Sequence, residues 1–327
     1  MQEVAPNIYQ LNIPLPEKRL SILNAYVVKT DEGSMLIDTG WNTDVAYNAL
    51  ISQLAEIDLT PADLKYIIIT HFHPDHFGLS ERLSKESNAI FIQHEIEIKL
   101  LTLRRNDAEK ALSSMAKWLN RNGFPISGYE EIKDISLSVY KLNHGNANIL
   151  SVKGGEKIHL GQFDFDIIWS PGHSPGMICL HEANLGYLFC SDHVLAHTTP
   201  NISLFSELAG NPLGDYFQSL RNVAKLPVNF AFPAHGKIIT NLPERVEQMI
   251  NHHEERLNEM LVVCQQQPSN AYEIASGVSW SMKWETMPMF HRRFAILETL
   301  AHLELLRRRG QLVKTETLDG TYYRLVN

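Results

Sequence analysis

Lys65-Tyr66-Ile67-Ile68-Ile69-Thr70-His71-Phe72-His73-Pro74-Asp75-His76 decides how this chain is read. Its first half is a β-branched apolar run, the kind that fills a strand buried on both faces. Its second half places four potential metal ligands, His71, His73, Asp75 and His76, just where that strand stops. Alternate residues leaving a strand point the same way, so His71 and His73 can share one ion. The turn through Pro74 then aims Asp75 and His76 elsewhere, which makes two half-sites. Imidazole suits zinc, iron or manganese, and a carboxylate offsets part of the cationic charge. The alternative is a polar loop that carries histidines by chance, but so dense a His/Asp cluster has few other physical uses.

Three single residues further along occupy similar settings. His173 lies in Pro171-Gly172-His173-Ser174-Pro175-Gly176, after a strand ending at Trp169. Asp192 follows a strand ending at Phe189, and His235 follows one ending at Phe232. A lone histidine in a Pro/Gly loop is usually a surface turn residue. Their joint occurrence in this order points to ligation.

The rest of the chain alternates strand-like and helical patterns. Apolar runs at 8–13, 20–28, 35–37 and 89–92 read as strands, as do 149–152, 164–169, 177–181, 187–190 and 229–232. Helical periodicity covers 43–56, a segment through Leu79 and Leu83, and 215–226. Residues from about 95 to 146 read as a helical insertion, with Asp107 as an N-cap, an apolar stripe of Met115, Trp118 and Leu119, and Gly123 past the helix end. That stripe is a candidate lid lining a substrate pocket. An α/β domain is expected over 1–242. A smaller unit over 243–327 follows: a long polar helix carrying a solvated His252-His253, a short helix, an apolar-striped helix with a packed His302, and a hairpin.

Composition limits the partners. The chain has 327 residues, 44% hydrophobic and 20% charged, and 29 basic against 37 acidic residues give a formal charge of −8. That balance disfavours a non-specific phosphate clamp. Three cysteines, Cys179, Cys190 and Cys264, are too few for a disulfide framework and fit a reducing compartment. Cys190 reads as packing. The N-terminal residues carry no signal-like pattern and no run of about 18 apolar residues occurs, so a soluble cytoplasmic protein without a membrane partner is expected.

His71 to His76, His173, Asp192 and His235, in this order, resemble the metallo-β-lactamase superfamily over about residues 5–240, and Leu36-Ile37-Asp38-Thr39-Gly40 matches another element of that family. The resemblance implies a four-layer αβ/βα sandwich with the metal cleft at one edge. It assigns His71, His73 and His173 to one ion, Asp75, His76 and His235 to a second, and Asp192 to a bridge between them. Asp38 would orient a ligating imidazole. The intact Asp192, with no ligating Cys in its place, resembles the glyoxalase-II-like branch more than the zinc β-lactamases. His rather than Glu at position 73 speaks against the flavo-diiron branch. The tail resembles the winged-helix-like extension of β-lactamase-like-2 hydrolases.

The function this implies is a dinuclear hydrolase, with zinc as the first choice of metal and manganese or iron accepted by the same ligands. A hydroxide formed between the two ions attacks the carbonyl of an ester, thioester or lactone of a small metabolite, and Asp75 holds and orients it. His197, in the loop after Asp192, is expected to contact substrate, and His193 to be structural. The alternative is a phosphodiesterase or ribonuclease on the same centre, with the tail binding nucleic acid. A catalytically weak regulatory protein and a mononuclear iron enzyme fit the intact ligand set less well. The tail is expected to pack on the hydrolase domain or to form a homodimer.

Overall fold

Two β-sheets packed face to face carry the molecule, and the computed structural model describes residues 1–16, 21–205 and 210–326. The first sheet holds β1 (Gln2–Ala5), β2 (Ile8–Pro14), β3 (Ile22–Thr30), β4 (Gly33–Ile37), β5 (Leu64–Ile68), β6 (Ile90–His94) and β7 (Asn148–Val152), in chain order across the sheet. β1 to β4 pair antiparallel, and β4 to β7 pair parallel. The second sheet holds β8 (Lys157–Leu160), β9 (Phe163–Trp169), β10 (Ile178–Glu182), β11 (Tyr187–Ser191) and β12 (Phe230–Pro233). It is antiparallel except for the β11/β12 pair.

Parallel neighbours need crossovers, and helices supply them. α1 (Asp44–Ala55) joins β4 to β5, and α2 (Pro74–Phe77) with α3 (Ser80–Glu86) joins β5 to β6. The insertion is α4 (Glu95–Asn106), α5 (Ala108–Arg121) and α6 (Ile126–Tyr140), between β6 and β7. α7 (Pro212–Val223) precedes β12; α8 (Leu242–Cys264), α9 (Ala271–Ser276), α10 (Met289–Arg308) and the hairpin β13 (Leu312–Glu316) and β14 (Thr321–Leu325) follow it. Local chemistry sets the helix ends: Thr43 accepts from the Ala46 amide at the start of α1, and Asp107 from the Lys110 amide at the start of α5.

Three clusters make the layers. Between the sheets lie Tyr26, Ile37, Ile68, Phe165, Phe189 and Phe232. Outside the first sheet, Leu36, Ile67 and Phe91 meet Leu50, Phe77 and Leu83 of the helices. Outside the second, Cys179, Leu188 and Cys190 share one core with residues of α5, α7, α8 and α10. The result is the helix–sheet–sheet–helix sandwich, with the small C-terminal unit on the second sheet's side.

Several expectations change. β1 and β8 have no counterpart in the sequence pattern, and Leu20, where the second strand is expected to begin, lies outside the described residues. The α5 stripe is taken up by packing: Leu112, Met115 and Leu119 are buried in the shared core, where partly buried Trp118 packs against it. His253 is not solvated. α8 turns Val246, Met249, His253, Leu257 and Met260 inward on one helical face, and His253 is fully buried. Its Nδ1 lies 3.1 Å from Nε2 of His302. The expected boundary at 242/243 falls at the first residues of α8, whose apolar face joins the same core as α7. Among the described residues no helix is long and apolar enough to cross a membrane.

The topology gathers strand ends. β9, β11 and β12 run in one direction and β4 and β5 in one direction. Backbone bonds stitch the sheets at this edge: the Ile178 amide donates to Thr70 O (3.1 Å), and the Asn24 amide to Ala234 O (2.7 Å).

Candidate metal centre

The strand β5 delivers His71, and His73 stays extended before Pro74 opens the single turn of α2, which carries Asp75 and His76. His71 Nε2 and His173 Nε2 each lie 2.9 Å from His73 Nδ1. In a second group, Asp75 Oδ2 lies 3.5 Å from His76 Nε2 and 3.4 Å from His235 Nε2. Asp192 stands between them: its Oδ2 is 3.5 Å from both His76 Nε2 and His173 Nε2, and its Oδ1 is 3.5 Å from His235 Nε2. Ligands about 2.0–2.1 Å from a tetrahedral ion are separated from one another by roughly 3.3 Å. The carboxylate-to-imidazole spacings match that edge length and are too long for good hydrogen bonds. All seven residues expected as ligands are therefore brought together.

The outward-facing nitrogens are tied down. His76 Nδ1 is 2.7 Å from Asp38 Oδ2, His173 Nδ1 is 2.8 Å from Asn201 O, and His235 Nδ1 is 2.9 Å from Ile22 O. Each Nδ1–H donates outward, which leaves an Nε2 lone pair facing the cluster. Asp38 sits in the left-handed region at φ 61° and also accepts from the Thr70 amide (3.0 Å) and the Ser191 hydroxyl (3.2 Å). His76 Nε2, His235 Nε2 and Asp192 Oδ1 are buried without a hydrogen-bond partner. Buried polar atoms are rarely left so, and inward lone pairs beside carboxylates are what a divalent cation requires.

The electrostatics divide the cluster. Burial, with the neighbouring imidazoles, holds His71 and His73 well below the ordinary histidine range, and burial lowers His173. These are neutral imidazoles, the ligating form. Burial acts to raise Asp75, but His76 and His235 outweigh it and hold the carboxyl well below the usual range. Against burial, Asp192 and Asp75 lift His235 to about 9. The carboxylate-rich half thus attracts positive charge.

A model of the metallo-beta-lactamase superfamily matches residues 20–235, and one of the metallo-beta-lactamase-like C-terminal domain matches residues 257–324. The chain belongs to the metallo-beta-lactamase superfamily. It is similar to a probable metallo-hydrolase of Bacillus subtilis (strain 168), YqjP, at 26% identity over 307 residues, 92% of each chain. A lactamase-like protein of Trichophyton rubrum, nscB, is 31% identical over 238 residues, 73% of this chain and 56% of that one. Among solved structures, a metallo-beta-lactamase family protein from Thermus thermophilus superposes with a TM-score of 0.84 at 29% identity, covering 99% of this chain and 100% of that one. A beta-lactamase domain protein from Burkholderia ambifaria gives 0.80 at 26%, covering 99% and 94%. Both span the tail as well as the sandwich. As a metallo-beta-lactamase superfamily member, the chain is a metallo-hydrolase.

This metallo-beta-lactamase centre also uses residues that no motif announced. Glu97 of α4 is fully buried: one carboxylate oxygen accepts from the Phe72 amide (2.7 Å), and the other from the Ser174 hydroxyl and the Gly176 amide (both 2.6 Å). It staples the His71–His73 loop to the His173 loop. Burial raises its pKa to about 7 against those bonds. Gly172 sits at φ 143°, and a Cβ there would lie 2.4 Å from Tyr216 Cβ, so only glycine lets the His173 loop close on α7.

The remaining expectations separate. His193 is buried with its ring edge-on to Tyr216 at 5.4 Å, a packing role, and the Cys190 thiol lies buried 3.3 Å from Val194 O. His197 is exposed and is not among the groups that converge on the ligand cluster. Its loop is pinned to α8 by Arg245, which donates to Leu195 O (2.6 Å) and Thr198 O (2.7 Å). A further grouping of His253, Glu298 and His302 lies in the tail's core. There the two imidazoles bond each other, Glu298 already accepts from Asn201, and the Arg256 cation adjoins all three, so this grouping reads as internal hydrogen bonding.

Proposed function

We propose that this metallo-hydrolase holds two divalent cations, zinc first among the candidates, and cleaves an ester, thioester or lactone of a small metabolite. The observation that carries this reading is the division of seven donor side chains into a three-histidine group and an Asp75–His76–His235 group, with Asp192 between them. Two ions held there would polarise the acyl oxygen of the substrate and lower the pKa of the attacking water. Asp75 has the most exposed side chain of the Asp75–His76–His235 group, at 17%, which suits it to face incoming water, accept its hydrogen bond and orient it. Asp192 keeps the two groups in register. His197 is assigned to contact substrate from the loop that Arg245 anchors.

The phosphodiesterase reading asks the tail for a free basic face. Arg307 and Arg308 are paired with Glu304, and Arg309 with Glu254, which supports a tail that does not bind nucleic acid. The order of three helices and a hairpin fits a winged-helix-like unit serving architecture. Three free, buried cysteines fit a reducing, cytoplasmic setting. The test combines metal analysis with a substrate panel of thioesters, lactones and bis-(p-nitrophenyl) phosphate. Two equivalents of metal and acyl-transfer activity abolished by Asp75→Ala are expected. One equivalent at saturation, or turnover confined to the phosphodiester, would overturn the reading.

A further inference from the structure

His173 takes its orientation from the carbonyl of Asn201, 2.8 Å from its Nδ1. Asn201 belongs to no strand or helix, so something else must hold that carbonyl in place. Its side-chain amide donates to Glu298 Oε2 at 2.6 Å and to Phe294 O at 3.3 Å, both on α10. Its Oδ1 accepts from the Ser203 hydroxyl. The Leu204 amide donates to Leu297 O at 3.0 Å. The segment that aims a candidate ligand is thus laid along α10 of the C-terminal unit by a row of hydrogen bonds. Glu298 is buried, and a carboxylate held away from water at this point needs a partner of the right polarity. The Asn201 amide is its hydrogen-bonding partner, with the Arg256 cation nearby.

We propose that Glu298 is a positioning residue for the metal centre: acting through Asn201, it fixes His173, so that the C-terminal unit completes the three-histidine group. This rests on the two-metal reading above. It gives the tail a task beyond packing, because the group that fixes His173 is itself fixed from residue 298. Outer partners of metal-binding histidines typically change metal affinity by about 10–100-fold when altered.

A polarity swap tests it. Assayed above the pH at which buried Glu298 holds its proton, Asn201→Asp sets a carboxylate against Glu298 and should weaken one of the two zinc equivalents by roughly 10-fold or more in a competitive chelator titration. Glu298→Gln alone keeps an oxygen for the Asn201 amide and should stay near wild type. The double variant Asn201→Asp/Glu298→Gln restores an amide-to-carboxylate pair of reversed sense and should regain most of the lost affinity, with only the longer contact to Phe294 O left unmade. The zinc equivalent bound through Asp75, His76 and His235 should be unchanged throughout. Cobalt substitution should show the same pattern in its visible absorption. If Asn201→Asp leaves both affinities unchanged, or if the double variant is no better than Asn201→Asp, the proposal is overturned. His173→Ala serves as the control. If that variant still binds two equivalents as tightly as wild type, the two-metal reading itself fails. If it loses one equivalent while the swap series is flat, only the role of Glu298 fails.

Discussion

Glu97 shows how much of a metal site is carried by residues that ligate nothing. Its two oxygens receive three donors from two loops, and no neutral side chain of the same shape offers that. In Glu97→Gln the amide end must face either the Phe72 N–H or the Ser174 and Gly176 donors, so a donor meets a donor. The variant is expected to lose about 1–3 kcal/mol of stability from the stranded buried N–H. It should also weaken zinc at the three-histidine group by roughly 10–100-fold. Thermal unfolding and chelator competition measure both, and unchanged zinc affinity would refute the staple. The ligand candidates are readable because His71 to His76 are contiguous, and because His173, Asp192 and His235 each end an apolar run. Glu97 and Glu298 are not, because their partners lie 25, 77 and 97 residues away and no local pattern marks such contacts.

Strands rich in β-branched and aromatic residues declare themselves, which is why β5, β9 and β11 are readable from sequence. β1 and β8 are four residues each, too short for a period of two to register, and neither carries the aromatic run that marks the equally short β12. The insertion is helical as its pattern predicts, with Asp107 capping α5, but periodicity reports that a face is buried and not what buries it. The α5 stripe meets the shared core, while α4 reaches the metal loops through Glu97. Met115→Ala is therefore expected to cost about 2–5 kcal/mol of stability. The ratio of kcat/KM for short and long acyl substrates should not move. Denaturant unfolding and a chain-length series check this, and altered selectivity at unchanged stability would return α5 to the role of lid. The long α8 misleads for the same reason, since its charged residues hide the inward row that includes His253.

Across the molecule, one core joins the second sheet to the tail, so groups buried between them tune the stability of the whole. Burial raises Glu298 from an ordinary 4.5 to about 7, opposed by Arg256 and the Asn201 amide, while His302 is pushed down to about 3, chiefly by burial. A carboxyl with a raised folded-state pKa binds its proton more tightly when folded. Its contribution is complete below about 4.5 and is lost as the pH rises through about 7. Wild-type stability should therefore fall more steeply between pH 5 and 8 than that of Glu298→Gln, as measured by denaturant midpoints; identical slopes would contradict this. The first sheet, by contrast, is laid down in chain order, so each of its strands finds its neighbour as soon as it is made. The His235 loop is different. His235 Nδ1 reaches back 213 residues to Ile22 O, and the Asn24 and Tyr26 side chains bond Pro233 O from across the same gap. A ribosome making this protein has β3 outside long before it supplies the loop that β3 holds, and contacts of such separation close late. On the two-metal proposal, the Asp75–His76–His235 group is incomplete until the sandwich closes, and filling it would mark that closure. In refolding, ellipticity should recover first and the zinc equivalent assigned to that group should disappear from a fluorescent indicator only afterwards; uptake that runs ahead of ellipticity would contradict this.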